Sequence, residues 1–399
     1  MTTDKKSLPQ LFFPIFFEIL CSMLTGVVDT LMLSSEGDQA VGAVGTANTY
    51  IGIFVIMFSI ISSGMIAVMT QYIGAKRPGV AQRAMHLGLL FNLVTGIMIS
   101  AALYCFAGSI LKGIGIADQL LQPAKTYLQT VGLFCICNAM IPIFSSYLRA
   151  FGHTAPTLSG TVLANAVNVI LNALFLFVLH WGIMGVALAT GISRVIHLLW
   201  VWLISRRRIR PVYEADPPEN RDILRKIIRV GLPAAMETSL YNLAVTIVIS
   251  LLNGMDDTGM QATARAYAVQ IANFSFSAGA ALAQANAIMV GWHIGAGELN
   301  SCDRDTRKVA IIGICLGVSI AGFFGLCAHP ILKLFTDDPE MIRLVSKLLI
   351  VDIVLEIGRI TNLVFGSALK TSGDAMYPMV IAVVFAFVCA AGGTWFFGV

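Results

Sequence analysis

The stretch from Leu8 to Ser34 reads LPQLFFPIFFEILCSMLTGVVDTLMLS, and it sets the terms for the whole chain. It stays apolar for longer than a soluble helix requires, and a helix of ~20 apolar residues crosses a bilayer. It nevertheless contains two carboxylates, Glu18 and Asp29. A charge held in hydrocarbon costs at least ~3 kcal/mol, so each acid must pair, take up a proton or face water. Pro14, one turn before Glu18, invites a kink or a loosened first turn. This helix reads as one wall of a polar pathway inside a membrane protein.

Composition agrees. The 399 residues are 57% hydrophobic and only 12% charged, with a mean hydropathy of +0.81. A soluble domain carries about a quarter of its residues charged, and a membrane β-barrel alternates polar with apolar positions. The fold class is therefore an all-α polytopic membrane protein. Eleven apolar spans are expected, near 8–34, 44–72, 85–111, 124–148, 157–180, 182–204, 228–253, 262–291, 309–328, 344–368 and 376–397. The one long connection, Ser205 to Arg229, is polar, basic and Pro-rich. It divides the chain into an N-terminal lobe at 1–205, a linker at 206–227 and a C-terminal lobe at 228–399.

Of the 26 Lys and Arg, eighteen fall at one set of span ends and six at the other. The positive-inside rule then puts the N-terminus and the linker in the cytoplasm; the opposite ends are accompanied by acids such as Asp256 and Asp257. The net charge of +4 follows this topology and gives no reason to expect a nucleic-acid partner. The eight Cys form no C-x-x-C pair and read as small buried apolar residues. No cleavable signal peptide is apparent, and the expected location is the plasma membrane, the inner one of a bacterium.

The two halves repeat. Pro14-Ile-Phe-Phe-Glu18 matches Pro233-Ala-Ala-Met-Glu237 at an offset of 219. Tyr72-Ile-Gly-Ala75 matches His293-Ile-Gly-Ala296, and Leu148-Arg-Ala-Phe-Gly152 matches Leu369-Lys-Thr-Ser-Gly373, both at 221. Six helices per repeat is an even number, so the expectation is two parallel-repeat six-helix bundles around a central cleft, as in two-bundle transporters. The sixth span should recur near 403–425, past Val399. A truncated chain, or a second bundle natively lacking its twelfth helix, are the two readings, truncation being preferred. Val399 would then lie outside, with the second lobe looser than the first.

Three helices bring polar groups to a similar depth. Asn172 and Thr190 fall ~12 Å, and Asp29 ~8 Å, below the outer surface at 1.5 Å per residue. Asn168 is one turn from Asn172 on the same face. A carboxylate, two amides and a hydroxyl can form a site for a small hard cation or a proton. The competing reading makes the amides and Thr ordinary interhelical hydrogen bonds. In the second half, the intramembrane acids are Glu237, Asp352 and Glu356; Arg359, three residues beyond Glu356, is placed to form a structural ion pair. Glu18 and Glu237 hold matching repeat positions, and either steady their bundles or line a cytoplasmic vestibule. No G-x-x-x-x-G-K-[ST], H-E-x-x-H or G-x-S-x-G occurs, so neither an ATP engine nor an enzyme is expected.

The chain resembles the multidrug and toxic compound extrusion (MATE) family over essentially its whole length. The resemblance rests on the early Pro-x-x-x-Glu and Val-Asp-Thr, on Gln71-Tyr-Ile-Gly-Ala75 and on Leu148-Arg-Ala-Phe-Gly-His-Thr-Ala-Pro156. It rests also on Gly185-Val-Ala-Leu-Ala-Thr190, on Gly231-Leu-Pro-Ala-Ala-Met-Glu237 and on Arg359 to Gly373 with Asn362. It implies antiport of amphipathic, often cationic organic compounds against H+ or Na+, with no other cofactor, by a monomer embedded in lipid. It also implies a cation site using Asp29, Asn168, Asn172 and Thr190, with Na+ a candidate occupant at Asp29. One branch of the family carries Asp where this chain has Asn172. Two rivals remain. A lipid-linked oligosaccharide flippase of the same superfamily would need several buried bases, and only Arg194 and Arg359 lie well inside spans. An integral-membrane enzyme would need a catalytic cluster.

Overall fold

A computed structural model of the chain describes residues 6–113, 115–254, 259–333 and 336–398; Asp256, Asp257 and Val399 lie outside them. Among the described residues the regular structure is entirely helical. The long helices are α1 (Leu8–Leu33), α2 (Asp38–Gly74), α3 (Pro78–Gly113), α4 (Asp118–Leu133), α5 (Cys135–Ala150), α6 (Ala155–Ala173), α7 (Gly182–Arg208), α8 (Asn220–Asn253), α9 (Met260–Gly295) and α10 (Leu299–Leu326). They are followed by a short α11 (Ala328–Leu332), then α12 (Pro339–Ser372), α13 (Met376–Phe385) and α14 (Gly393–Gly398). Eight described helices are long and apolar enough to cross a membrane, or nine if α4 and α5 count as one broken span. The other two of the eleven spans expected, 262–291 and 344–368, fall on α9 and α12. The helices α9 and α12 have the length but are diluted by polar residues, Gln270, Asn273, Gln284 and Asn286 in α9 and Asp352, Glu356 and Arg359 in α12.

The chain divides into two compact units, Met1–Gly231 and Leu232–Val399. In the first, α1 packs on α6 and α6 on α7, while α2, α3, α4 and α5 form a second layer that closes on α7. Its core runs from Leu33 through Phe58, Leu103 and Leu128 to Ala187. The basic connection lies against this unit: Arg77 Nε meets Glu214 at 3.0 Å, and Gln82 Nε2 donates to the Arg210 carbonyl at 2.7 Å. In the second unit α12 packs against α9 and α10, with Ala264, Ile271, Val345 and Leu349 in its core.

The fourth expected span, 124–148, is not one straight helix. The ladder breaks at Phe134, whose N–H donates three residues back to Val131 at 3.0 Å, and α4 and α5 meet at 45°. The Phe134 ring fills the space that Gly191 leaves on α7: a Cβ at Gly191 would stand 2.1 Å from Phe134 Cδ2. Packing, not proline, therefore fixes this bend. Gly191→Ala must push the ring aside and should cost ~1–3 kcal/mol as overpacking does. Gly26, with nothing within 4 Å, is the control, and Gly26→Ala should leave the thermal midpoint of the detergent-solubilised protein unchanged. Equal midpoints for the two variants would remove Gly191 from the account.

Candidate functional site

The first unit aligns polar residues on three helices. Asn172 lies at the end of α6, fully buried, and its Nδ2 donates to Asp29 Oδ1 at 2.8 Å and to Asn168 Oδ1 at 3.3 Å. Thr190 belongs to a neighbouring group: it is hydrogen-bonded to Tyr127, whose phenol donates to Asn48 Oδ1 at 3.2 Å. Asp29, Asn168 and Asn172 thus form one hydrogen-bonded group, and Thr190, Tyr127 and Asn48 a second within electrostatic reach of Asp29, with Tyr127 and Asn48 as members that spacing did not reveal. Tyr127 sits on the far side of the Phe134 bend from α5, and no short-range pattern ties it to Asp29.

Arg194 is the other unforeseen member. It follows Thr190 by one turn, so it shares that face of α7. It lies near enough to Asp29, Tyr127 and Cys137 for their fields to act on it. Among the described residues Asp29 makes no direct ion pair; its partner is an amide. The Oδ1 of Asn172 is buried and receives no hydrogen bond. The Asn172 amide thus presents its N–H to Asp29 and keeps its oxygen free. Just beyond Asn172 the helix widens into a π-helical segment, Leu174–Val178. Such bulges cluster at functional sites because they loosen the helical ladder locally.

Nearer the α1 N-terminus, Glu18 is not solitary. Arg149 donates to its Oε1 at 2.7 Å and the Thr157 hydroxyl to its Oε2 at 2.7 Å. The second unit repeats this arrangement: Lys370 Nζ sits between Glu237 Oε1 at 2.8 Å and Oε2 at 2.7 Å. Both acids therefore tie the first helix of a repeat to the end of its fourth span. Thr157 corresponds by the repeat to Pro378, so the second pair lacks the hydroxyl.

Asp352 and Glu356 are brought together, away from that pair, by Arg359. It donates to Asp352 Oδ1 at 2.8 Å and to Glu356 Oε1, and Ser275 of α9 donates to the same Glu356 oxygen at 2.8 Å. Glu356 is fully buried, with Oε2 packed toward Gly317 and unbonded. The two carboxylates thus share one guanidinium.

A helical membrane chain made of two repeated units, each carrying ionisable groups inside its spans, has the make-up of a membrane transporter. The family model described as MatE matches residues 14–174 and 233–395, and the chain belongs to that transporter family. The "Uncharacterized transporter YisQ" of Bacillus subtilis is 31% identical, over 95% of this chain and 84% of its own length. The "Probable multidrug resistance protein NorM" of Thermotoga maritima is 24% identical over 95% and 82%. Among solved structures, a MATE protein in a straight conformation shares the fold at a TM-score of 0.90, with 20% identity over 98% of this chain and 88% of its own. A MOP-superfamily transporter from Pyrococcus furiosus, described as having a binding pocket of reverse polarity, aligns at 0.85 with 19% identity over 96% and 88%.

Removing one partner of a buried pair strands the other charge, at ~3–5 kcal/mol. Arg149→Gln should therefore lower the thermal midpoint sharply, and E18Q/R149Q together should recover most of the loss. A double variant as unstable as the single one would show that the pair is not what holds these helices.

Proposed function

We propose that the protein exports amphipathic organic compounds by antiport, and that the ion driving export is the proton, carried at Asp29. The observation that supports this most is the bonding of Asp29 to the Asn172 amide, with the Arg194 guanidinium near enough to act on it but not in a direct ion pair. Na+ would need several oxygens turned toward it at once. Here Asn168 Oδ1 already accepts from Asn172, and the Arg194 charge opposes a second cation more strongly the lower the local dielectric. A proton asks for one oxygen and one acceptor, and Asn172 Oδ1 supplies the acceptor. Protonation removes the charge that faces Arg194, which changes the relative stability of the arrangements of α1, α6 and α7. Linkage requires that if the proton weakens substrate binding, substrate weakens proton binding by the same factor.

The substrate class we infer is a lipophilic cation, exported across the bacterial inner membrane by a chain with its N-terminus in the cytoplasm. Relatives named for multidrug resistance support export of such compounds. The excess of carboxyl groups over bases at Asp352, Glu356 and Arg359 supports the preference for positive charge. Arg194 and Arg359 are the only bases well inside the spans, which favours this reading over a flippase of pyrophosphate-linked lipid.

Dye efflux from vesicles under separately imposed gradients tests the reading. A proton gradient should drive ethidium export and a sodium gradient alone should not. Asp29→Asn should abolish the driven flux by removing titration at nearly constant volume, with normal insertion. Sodium-driven export, or a well-inserted Asp29→Asn protein that still responds to the proton gradient, would overturn it.

A further inference from the structure

His197 is the buried titratable group that the site above does not use. It lies on α7, one turn beyond Arg194 on the face that also carries Thr190. It is only 4% exposed, and neither Nδ1 nor Nε2 has a hydrogen-bond partner. Leaving a buried polar atom unbonded costs ~1–3 kcal/mol, so packing alone gives an imidazole little reason to be here. Room for the ring is made by Gly160 on α6, where a Cβ would stand 3.0 Å from His197 Cδ2 and 3.2 Å from Nε2.

The charged groups acting on the ring are Arg194 on its own helix, Glu18 on α1 and Arg149 on α5; α6 faces it with Gly160. Contacts fix its depth. Asn172 at one end of α6 meets Asp29, and Thr157 at its other end meets Glu18 in the middle of α1. The eleven residues from Glu18 to Asp29 rise ~16 Å, and the seven from Thr190 to His197 rise ~10 Å. The ring thus stands between the two clusters. Asn165, whose Nδ2 donates to the Cys21 carbonyl at 3.0 Å, adds a further polar group along the same α1–α6 seam.

We propose that His197 is a relay station for the transported proton, passing it between Asp29 and the Glu18–Arg149–Thr157 cluster. This rests on the proton-antiport reading. Asp29 gives up its O–H proton and becomes a carboxylate; one imidazole nitrogen takes the proton and the ring becomes an imidazolium. The other nitrogen then releases its proton toward the Glu18 carboxylate, and the ring returns to neutral with its tautomer exchanged. Only N–H and O–H bonds change, and water carries the proton over any gap wider than hydrogen-bond reach. The fixed charge of Arg194 between the two stations disfavours loading both, so a proton on His197 favours an ionised Asp29. His197 is a positioning and transfer group for the proton, and touches no substrate.

The test uses the whole chain in proteoliposomes with tetraphenylphosphonium as substrate. Two readouts are compared: proton-driven transport at set pH on each side, and counterflow, in which substrate exchanges for substrate with no pH difference. For His197→Gln, which keeps a polar group but cannot titrate, driven transport should fall at least ~10-fold. Its remaining rate should lose the dependence on lumenal pH that the wild-type protein shows. Counterflow and the substrate Kd should stay at the wild-type values. His197→Asn, smaller and also without a titrating group, should behave alike. Wild-type driven rate and pH profile in both variants would overturn the relay, as would equal losses of driven transport and counterflow, which is what a packing role produces. Absence of proton-driven transport in the wild type would overturn the parent reading itself, and the relay with it.

Discussion

A charge in hydrocarbon must be cancelled, and that requirement organises both units of this structure. Glu18 is held by Arg149 and Thr157, Glu237 by Lys370, and Asp352 with Glu356 by Arg359. Each of these contacts satisfies an ion and also ties one helix, or one turn, to another. Helices in lipid gain little from burying apolar surface against each other, so such polar ties and close contacts between small residues carry more of the cohesion. The glycine at 191 against Phe134 is the steric counterpart of the same economy of contacts.

Asp29 departs from this pattern. Its hydrogen-bonding partner is an amide, and the nearest strong positive charge, Arg194, acts on it without a direct ion pair. A carboxylate left this lightly compensated is one whose charge can change without dismantling the fold. Glu18, by contrast, is bonded at both oxygens, by Arg149 and by Thr157. The π-helical widening directly after Asn172 gives the helix a local looseness at the point where a change in Asp29 would be felt. A similar segment at Ala386–Gly392 lies between α13 and α14 in the second unit.

Much of this was legible in the sequence. Two carboxylates in an unbroken apolar run announced that α1 borders something polar, and the repeat of Pro-x-x-x-Glu and of Leu-Arg/Lys paired the halves. The spacing did not reveal that these two motifs are one device. Glu18 meets Arg149 across 131 residues, and Glu237 meets Lys370 across 133, which no local period encodes. Depth counting placed Asn172, Thr190 and Asp29 near one level, but it could not find Tyr127 and Asn48, whose approach depends on the bend at Phe134. Arg194 was visible as a base inside a span; its proximity to Asp29 followed only once α7 was laid against α6. The spans expected at 262–291 and 344–368 were legible despite their polar residues, and fall on α9 and α12.

The central claim is that Asp29 exchanges a proton against substrate. Proton release on substrate binding, read in weakly buffered detergent solution with a pH-sensitive dye, tests it without vesicles or gradients. The wild-type protein should release a proton as tetraphenylphosphonium binds, and Asp29→Asn should bind substrate without releasing one. A wild-type protein that binds substrate with no release, or an Asp29→Asn protein that releases as much as the wild type, would contradict the account.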